Sequence, residues 1–269
     1  MTEVVFDGEL YAANTAHHRG YDGMVLADAG LRPGAHVLDL GCGSGDLTAT
    51  VARIVGADTM VGGRTGGYVM GIDSSETQIE YARRHHAAVG LDFRPGRARD
   101  LASLVPPGSF DVVISVAMLH WVPREDQPRV LAGVHSALRP GGTFRADLGG
   151  RGQVEGTRTL LDQISRRYDG AESPWFFPDE EEYRALLVAA GFVVNRARLV
   201  AQRRSMPGKA ELEGWLRSQV LPAYLPTIAP QDRDDFVAEV LATLPERVRR
   251  PAGSYDQDFV RMDVVAIRP

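Results

Sequence analysis

The sequence predicts an α/β fold, a doubly wound and mostly parallel sheet with helices on both faces, and three stretches predict it. His36 to Leu40 is a short apolar strand that runs into the turn Gly41-Cys42-Gly43-Ser44-Gly45 and then into a helix over Asp46 to Val55. From Val37 to Leu148, apolar runs of strand length alternate with amphipathic runs of helix length, as in successive strand-helix-strand crossovers. Asp258 to Ile267 closes the chain with the period-two apolar pattern of Phe259, Val260, Met262, Val264, Val265 and Ile267, a last strand. At 269 residues there is room for one large core plus a small cap.

The opening strand reads as buried on both faces, because Val37, Leu38 and Leu40 leave almost no polar alternation. Its glycines carry no Cβ, so the backbone can turn sharply and a ligand can lie against it, while the helix that follows begins with free amide groups aimed at the same spot. This is a nucleotide-type binding turn. The dinucleotide fingerprint spaces its glycines as Gly-x-Gly-x-x-Gly, whereas this turn reads Gly-x-Gly-x-Gly with Asp39 two positions before the first glycine.

The remaining elements follow in order. Glu9 to Leu31 reads as a helix that lies over the turn as a lid, stopped by Arg32-Pro33-Gly34. Gly56 to Gly67 is longer than the usual helix-to-strand connection and is expected as a mobile surface loop. Tyr68 to Ile72 is the second strand. Asp73 at its end either accepts hydrogen bonds from both hydroxyls of a ribose or caps the helix over Ser75 to Ala88. Leu91 to Arg94 is a third strand and Asp111 to Val116 a fourth, running into Met118-Leu119-His120-Trp121 at the carboxyl edge where such sheets carry their chemistry. His120 is either a general base or a ring packed on Trp121 that hydrogen-bonds a backbone carbonyl. The helix over Asp126 to Leu138 and the strand over Thr143 to Leu148 complete this half.

After Gly149-Gly150 the composition shifts to helices with aromatic interruptions: Thr157 to Tyr168, the proline-bounded cluster Pro174-Trp175-Phe176-Phe177-Pro178, and Asp179 to Ala190. Phe192 to Val200 is a strand, and Ala210 to Leu244 is helical around Pro222, Pro226 and Pro230. The expected division is a lid over 1–34, a main domain over 35–205 with 254–269, and a helical cap over 206–253 inserted between the last two strands.

Composition narrows the function. A formal net charge of -5 creates no field that draws in nucleic acid or an anionic membrane, so a small-molecule substrate is expected. The single cysteine, Cys42, allows no internal disulfide and suits a reducing cytoplasm, and it is either a nucleophile or a small residue packed under the ligand. The first ten residues lack a signal pattern and no long apolar run is present, so neither export nor membrane insertion is expected. No Cys/His cluster offers a metal site.

The glycine turn with Asp39, Gly71-Ile72-Asp73-Ser74-Ser75, Phe110 to Ser115, and Leu138-Arg139-Pro140-Gly141-Gly142 resemble, in order, four motifs of the class I S-adenosylmethionine (SAM)-dependent methyltransferases. Leu119-His120-Trp121-Val122-Pro123, Trp175-Phe176-Phe177-Pro178-Asp179 and the closing Arg261-Met262-Asp263-Val264-Val265 further resemble the trans-aconitate methyltransferase-like group of that family. The resemblance implies a seven-stranded Rossmann-like sheet with an antiparallel last strand. It implies SAM as cofactor, S-adenosylhomocysteine as product, and methyl transfer to a small acid or natural-product intermediate, O-methylation foremost. C- or N-methylation, a SAM-binding enzyme that does not methylate, and a nicotinamide-dependent oxidoreductase are the alternatives.

It also assigns residues. Tyr11, His18, Asp39, Gly41, Cys42, Gly43, Gly45, Asp73, Ser74, Ala98, Arg99 and Ser115 form the expected cofactor set, with His18 where the family places glutamine. Arg97 stands where the family's Gly-Asp-Ala turn has an adenine-binding aspartate, and a guanidinium cannot accept a hydrogen bond. His17, Trp121, Trp175 and Tyr224 are the expected substrate contacts, and His120 the catalytic residue.

Overall fold

The structure is a computed structural model that describes residues 9, 23, 25–58, 60, 61, 64–251 and 253–269. Strand β1 (His36–Leu40) leads into α1 (Asp46–Val55), and a small antiparallel hairpin, β2 (Met60–Val61) with β3 (Arg64–Thr65), precedes β4 (Tyr68–Asp73). The expected loop between Gly56 and Gly67 is therefore partly a hairpin: its paired backbone groups satisfy one another. Then come α2 (Glu76–His85), β5 (Leu91–Pro95), α3 (Leu101–Leu104), β6 (Phe110–Val116), α4 (Gln127–Ala137) and β7 (Leu138–Gly149). The chain continues through α5 (Glu155–Arg167), α6 (Glu180–Ala189), β8 (Val193–Met206), α7 (Lys209–Trp215), α8 (Arg233–Val248) and β9 (Tyr255–Ile267).

The seven large strands order as β5-β4-β1-β6-β7-β9-β8, with β9 antiparallel to both its neighbours and the first five parallel. Strand order reverses between β1 and β6, which opens a crevice outside their carboxyl ends. Two apolar layers flank the sheet: Leu38, Leu40, Val113 and Phe144 face one side, and Val37, Val69, Val112 and Ile114 the other.

Strands β8 and β9 extend further than the apolar pattern indicates, pairing from Val193↔Ile267 out to Met206↔Tyr255. The added stretch Ala201-Gln202-Arg203-Arg204-Ser205 is polar because it forms a ribbon beyond the main sheet, so hydrophobic periodicity cannot mark it. A second core lies at the end of this ribbon, where Leu161 and Ile164 of α5 pack with Leu212, Trp215, Tyr224, Phe236 and Phe259. Between α7 and α8 the helix is interrupted by short turns that start near Pro222, Pro226 and Pro230, each lacking a backbone donor.

The antiparallel half is tied by buried charge. Arg145 pairs with Asp263 at 2.9 Å, Arg196 adds a contact to Asp263 at 2.8 Å, and Nε of Arg261 donates to Oδ1 of Asp147 at 2.8 Å. Asp147 and Asp263 face each other directly across β7 and β9, so the arginines separate two carboxylates that would otherwise repel. No helix among the described residues is long and apolar enough to cross a membrane.

Candidate functional site

The crevice is built from backbone first. Gly41 and Cys42 both donate their N–H to the carbonyl of Ile72, at 2.7 and 3.1 Å, folding the end of β1 onto the end of β4. Gly41, Gly43 and Gly45 take φ of +82°, +52° and +84°, a region that side chains disfavour. A Cβ on Gly41 would stand 2.3 Å from Cγ of Met118, so the turn touches the loop after β6.

Asp73 ends β4 and clamps this turn: Oδ2 accepts from the Gly43 N–H at 3.0 Å and Oδ1 from the Ser75 N–H at 2.9 Å. Burial raises its pKa above the usual 3.8, and those amides act in the opposite direction. The cap of α2 is Ser75, whose Oγ accepts from the Gln78 N–H, so Asp73 is not the cap. Gln78 is a site residue that sequence reasoning missed. It lines the cavity, is 2% exposed, and its Oε1 has no hydrogen-bond partner among the described residues.

Several expected cofactor contacts support the turn from behind instead of lining the cavity. Asp39 is buried and accepts from the Thr48 hydroxyl at 2.7 Å, binding β1 to α1. Ser115 donates to the Leu40 carbonyl at 2.8 Å, joining β6 to β1. Gly45 caps α1 where a Cβ would meet Phe93 and Ala82. Cys42 packs with Ile79, Ala82 and Phe93, and burial, with Asp39 and Asp73 near, pushes its thiol pKa well up. It is a packing residue, because a buried neutral thiol is a poor nucleophile.

Gly41, Gly43, Asp73, Ser74, Ala98 and Arg99 do line the cavity. Asp100, the carboxylate three residues after Arg97, does not line the cavity and pairs with Arg129 at 2.9 Å. The carboxylate at this end of the wall is Asp126, 3.7 Å from Arg99. Tyr11, His17 and His18 lie outside the described residues.

His120 sits just past β6, held from three directions. The amide of the buried Gln127 donates to the carbonyls of Leu119 and Val122, at 2.8 and 3.0 Å, fixing the turn. The Phe176 N–H donates to the His120 carbonyl at 2.9 Å. The Gly149 N–H, at the end of β7, donates to Nδ1 of the His120 ring at 3.1 Å. A backbone N–H can only donate, so Nδ1 accepts and the neutral ring carries its proton on Nε2. The ring packs 5.9 Å from Trp121, as one reading expects, and the backbone group at its Nδ1 is the Gly149 amide.

Trp121 and Trp175 line the cavity and Tyr224 does not. Tyr224 is fully buried, its hydroxyl donates to Oδ1 of Asp162 at 2.8 Å, and its ring meets Trp175 edge-on. It braces a wall residue, and the local sequence gives no sign of Asp162 behind it. Phe177, Trp215, Phe259, Gln153 and Arg261 complete the wall. Two residues with strained backbone also line it, Ala117 at φ +56° and Val154 at φ +42°. Together these groups enclose one cavity of about 720 Å³, running from the glycine turn to the second core.

A family model described as a methyltransferase domain matches residues 37–142. The trans-aconitate 2-methyltransferase of Mycolicibacterium gilvum is 30% identical over 268 residues, covering 93% of this chain and 94% of that one. The chain belongs to the class I SAM-dependent methyltransferases. An uncharacterized methyltransferase of Schizosaccharomyces pombe is 36% identical over 170 residues, and this methyltransferase spans 59% of its length. The fold alone is shared with the YcgJ protein of Bacillus subtilis, at a TM-score of 0.64 and 15% identity, covering 93% of this chain and 99% of that one. SAM is the cofactor of this methyltransferase, and the glycine end of the cavity fits it. A tight bare-backbone turn, a carboxylate positioned by two amides and the unpartnered Gln78 Oε1 suit a ligand rich in hydroxyl and amino donors.

Proposed function

We propose that this methyltransferase methylates an oxygen of a small-molecule acceptor that enters the site already ionised. The hydrogen bond from the Gly149 N–H to Nδ1 of His120 carries the proposal. With its proton on Nε2, His120 offers a hydrogen bond to an acceptor oxygen and has no lone pair with which to take a proton from it. The general-base expectation for His120 gives way to a donor role for that reason. A relative named for trans-aconitate, itself an acid, supports an acidic acceptor.

When bound, SAM supplies a methyl group on a sulfonium that needs no further activation. What the chain adds is alignment and exclusion of water. Asp73 would accept from the ribose hydroxyls, with Gln78 as a second acceptor in the first turn of α2. Gly41 and Gly43 would receive the methionine end, and Ala98, with Asp126 beside Arg99, would face the adenine. His120 would hold the acceptor oxygen, and the aromatic wall would keep the site dry.

His120→Ala tests the donor role. Losing one hydrogen bond to an ionised oxygen should lower kcat by about tenfold or less and act chiefly on KM, whereas losing a general base should cost ~10²–10⁴ in kcat. A loss in the second range, or a product carrying its new methyl on nitrogen or carbon by mass spectrometry, would overturn the proposal.

A further inference from the structure

Beyond His120 the cavity wall becomes aromatic and its charges are already compensated. Trp121 and Trp175 meet edge-on with centroids 5.5 Å apart, Trp175 stacks on Phe177 at 5.7 Å, and Trp215 lies 6.0 Å from Phe259. These rings come from separate segments, yet all line the same cavity. Flat apolar bodies bind well between such faces.

The arginine at this end is Arg261. Its side chain is 5% exposed, and its guanidinium is bound to Asp147, which is fully buried, so the pair presents no net charge to a ligand. Glu172, also on the wall, is paired with Arg166. Gln153 and Thr227 are neutral, and both are hydrogen-bonded within the protein: Gln153 Oε1 accepts from the Val260 N–H at 2.7 Å, and the Thr227 hydroxyl donates to the Tyr224 carbonyl at 2.8 Å. An acceptor with several carboxylates would be stripped of water around each. Among the described residues of this wall it would meet rings, a compensated arginine and another carboxylate. Desolvating an anion without a matching cation is strongly unfavourable.

We infer that the acceptor is an apolar, ring-bearing monocarboxylic acid, its body between the tryptophans and its one carboxylate at Nε2–H of His120. The inference rests on the proposed methylation of an ionised oxygen and narrows its substrate. Such an esterification balances without a base: the carboxylate oxygen forms a bond to the methyl carbon as the carbon–sulfur bond breaks, and the negative and positive charges disappear together.

Two measurements on the full chain separate the inference from the proposal beneath it. Calorimetry or tryptophan fluorescence, with S-adenosylhomocysteine present, reads acceptor binding, and ester formation from SAM reads transfer. 2-Naphthoate should bind at least about tenfold more tightly than trans-aconitate, and Trp175→Leu should weaken naphthoate by about tenfold, the scale of a lost aromatic contact. If Trp175→Leu does not fold, Trp215→Leu carries the same expectation at the far end of the wall. Trans-aconitate binding as tightly as naphthoate, or naphthoate binding untouched by loss of a wall tryptophan, overturns the inference whatever the transfer assay reads. Tight, tryptophan-dependent binding of naphthoate without ester formation upholds the preference of this wall for an apolar monocarboxylate and overturns O-methylation of it.

Discussion

At one end of the cavity the contacts are backbone groups held where parallel strands stop: Gly41 and Gly43, the amide-clamped Asp73 and the backbone of Ala98. At the other end they are side chains delivered by distant segments: His120 and Trp121 after β6, Trp175 and Phe177 before α6, Trp215 from α7, and Phe259 and Arg261 from β9. The first end is fixed by the sheet itself and is the proposed seat of a cofactor common to the family. The second is assembled on the antiparallel ribbon and second core, where side chains can change without disturbing the sheet. Under the proposed function, cofactor chemistry and acceptor choice would be carried by different kinds of structure within one cavity.

The largest expected effect breaks the acceptor end. Arg261→Met leaves Asp147 buried without its cation and should destabilise the protein by about 3–5 kcal/mol in urea unfolding. Adding Asp147→Leu should restore most of that, because two apolar groups bury without a charge penalty. If the double variant is no more stable than the single one, the pair does more than neutralise charge.

Next in size is Gly41→Ala at the cofactor end. Forcing a side chain into φ +82° costs about 1–2 kcal/mol, and the collision with Met118 adds about 1–2 more, read as lost stability in urea unfolding. Met118→Gly in the same chain should recover only the collision, because even the Met118 Cβ would stand 2.4 Å from the new methyl. Full recovery would mean that the turn does not need its left-handed conformation.

Asp73→Ala should weaken SAM by about 1–3 kcal/mol, the scale of charged hydrogen bonds lost from a buried site. Acceptor binding measured with naphthoate should change far less, and an equal loss at both ends would erase the distinction drawn between them.

The smallest effect is a pH dependence. Because burial holds the Asp73 pKa above 3.8, the carboxyl takes up its proton at a higher pH than an ordinary aspartate. SAM affinity should therefore decline as pH falls through that raised value, as an acceptor of ribose hydroxyls is lost. Stability of the cofactor-free protein moves the opposite way: the folded state binds this proton more tightly than the unfolded chain, so the contribution of Asp73 falls as pH rises through the window above 3.8. Calorimetry with SAM from neutral to acidic pH, compared with Asp73→Ala, isolates the effect.

How much was legible differed between the two ends. The strand-turn-helix unit from His36 to Val55 has the predicted boundaries for its helix, and Asp73 stands at the strand end where expected. Asp39, Cys42, Gly45 and Ser115 belong to the right neighbourhood but act as supports, because motif membership marks proximity to the turn and not the direction of a side chain. Gln78 escaped notice since its place in α2 has the spacing of an ordinary core position. Tyr224, an expected substrate contact, instead has its hydroxyl taken by Asp162, 62 residues earlier, a partner that no local pattern marks.

The doubly wound sheet, the glycine turn and the acid at the end of the second large strand were all written in the sequence, and the resemblance of these motifs to the family implied the cofactor. All of these arise from contiguous residues, whose apolar period and missing Cβ atoms set the backbone locally. Which nitrogen of His120 carries the proton depends on packing, since it is set by an amide 29 residues away at the end of a neighbouring strand. Packing likewise decides that Arg261 is neutralised by Asp147 across 114 residues of chain. Hydrogen bonds and ion pairs between distant segments have no local period, so the residue types were visible in the sequence while their partners, and hence their chemistry, were set by packing.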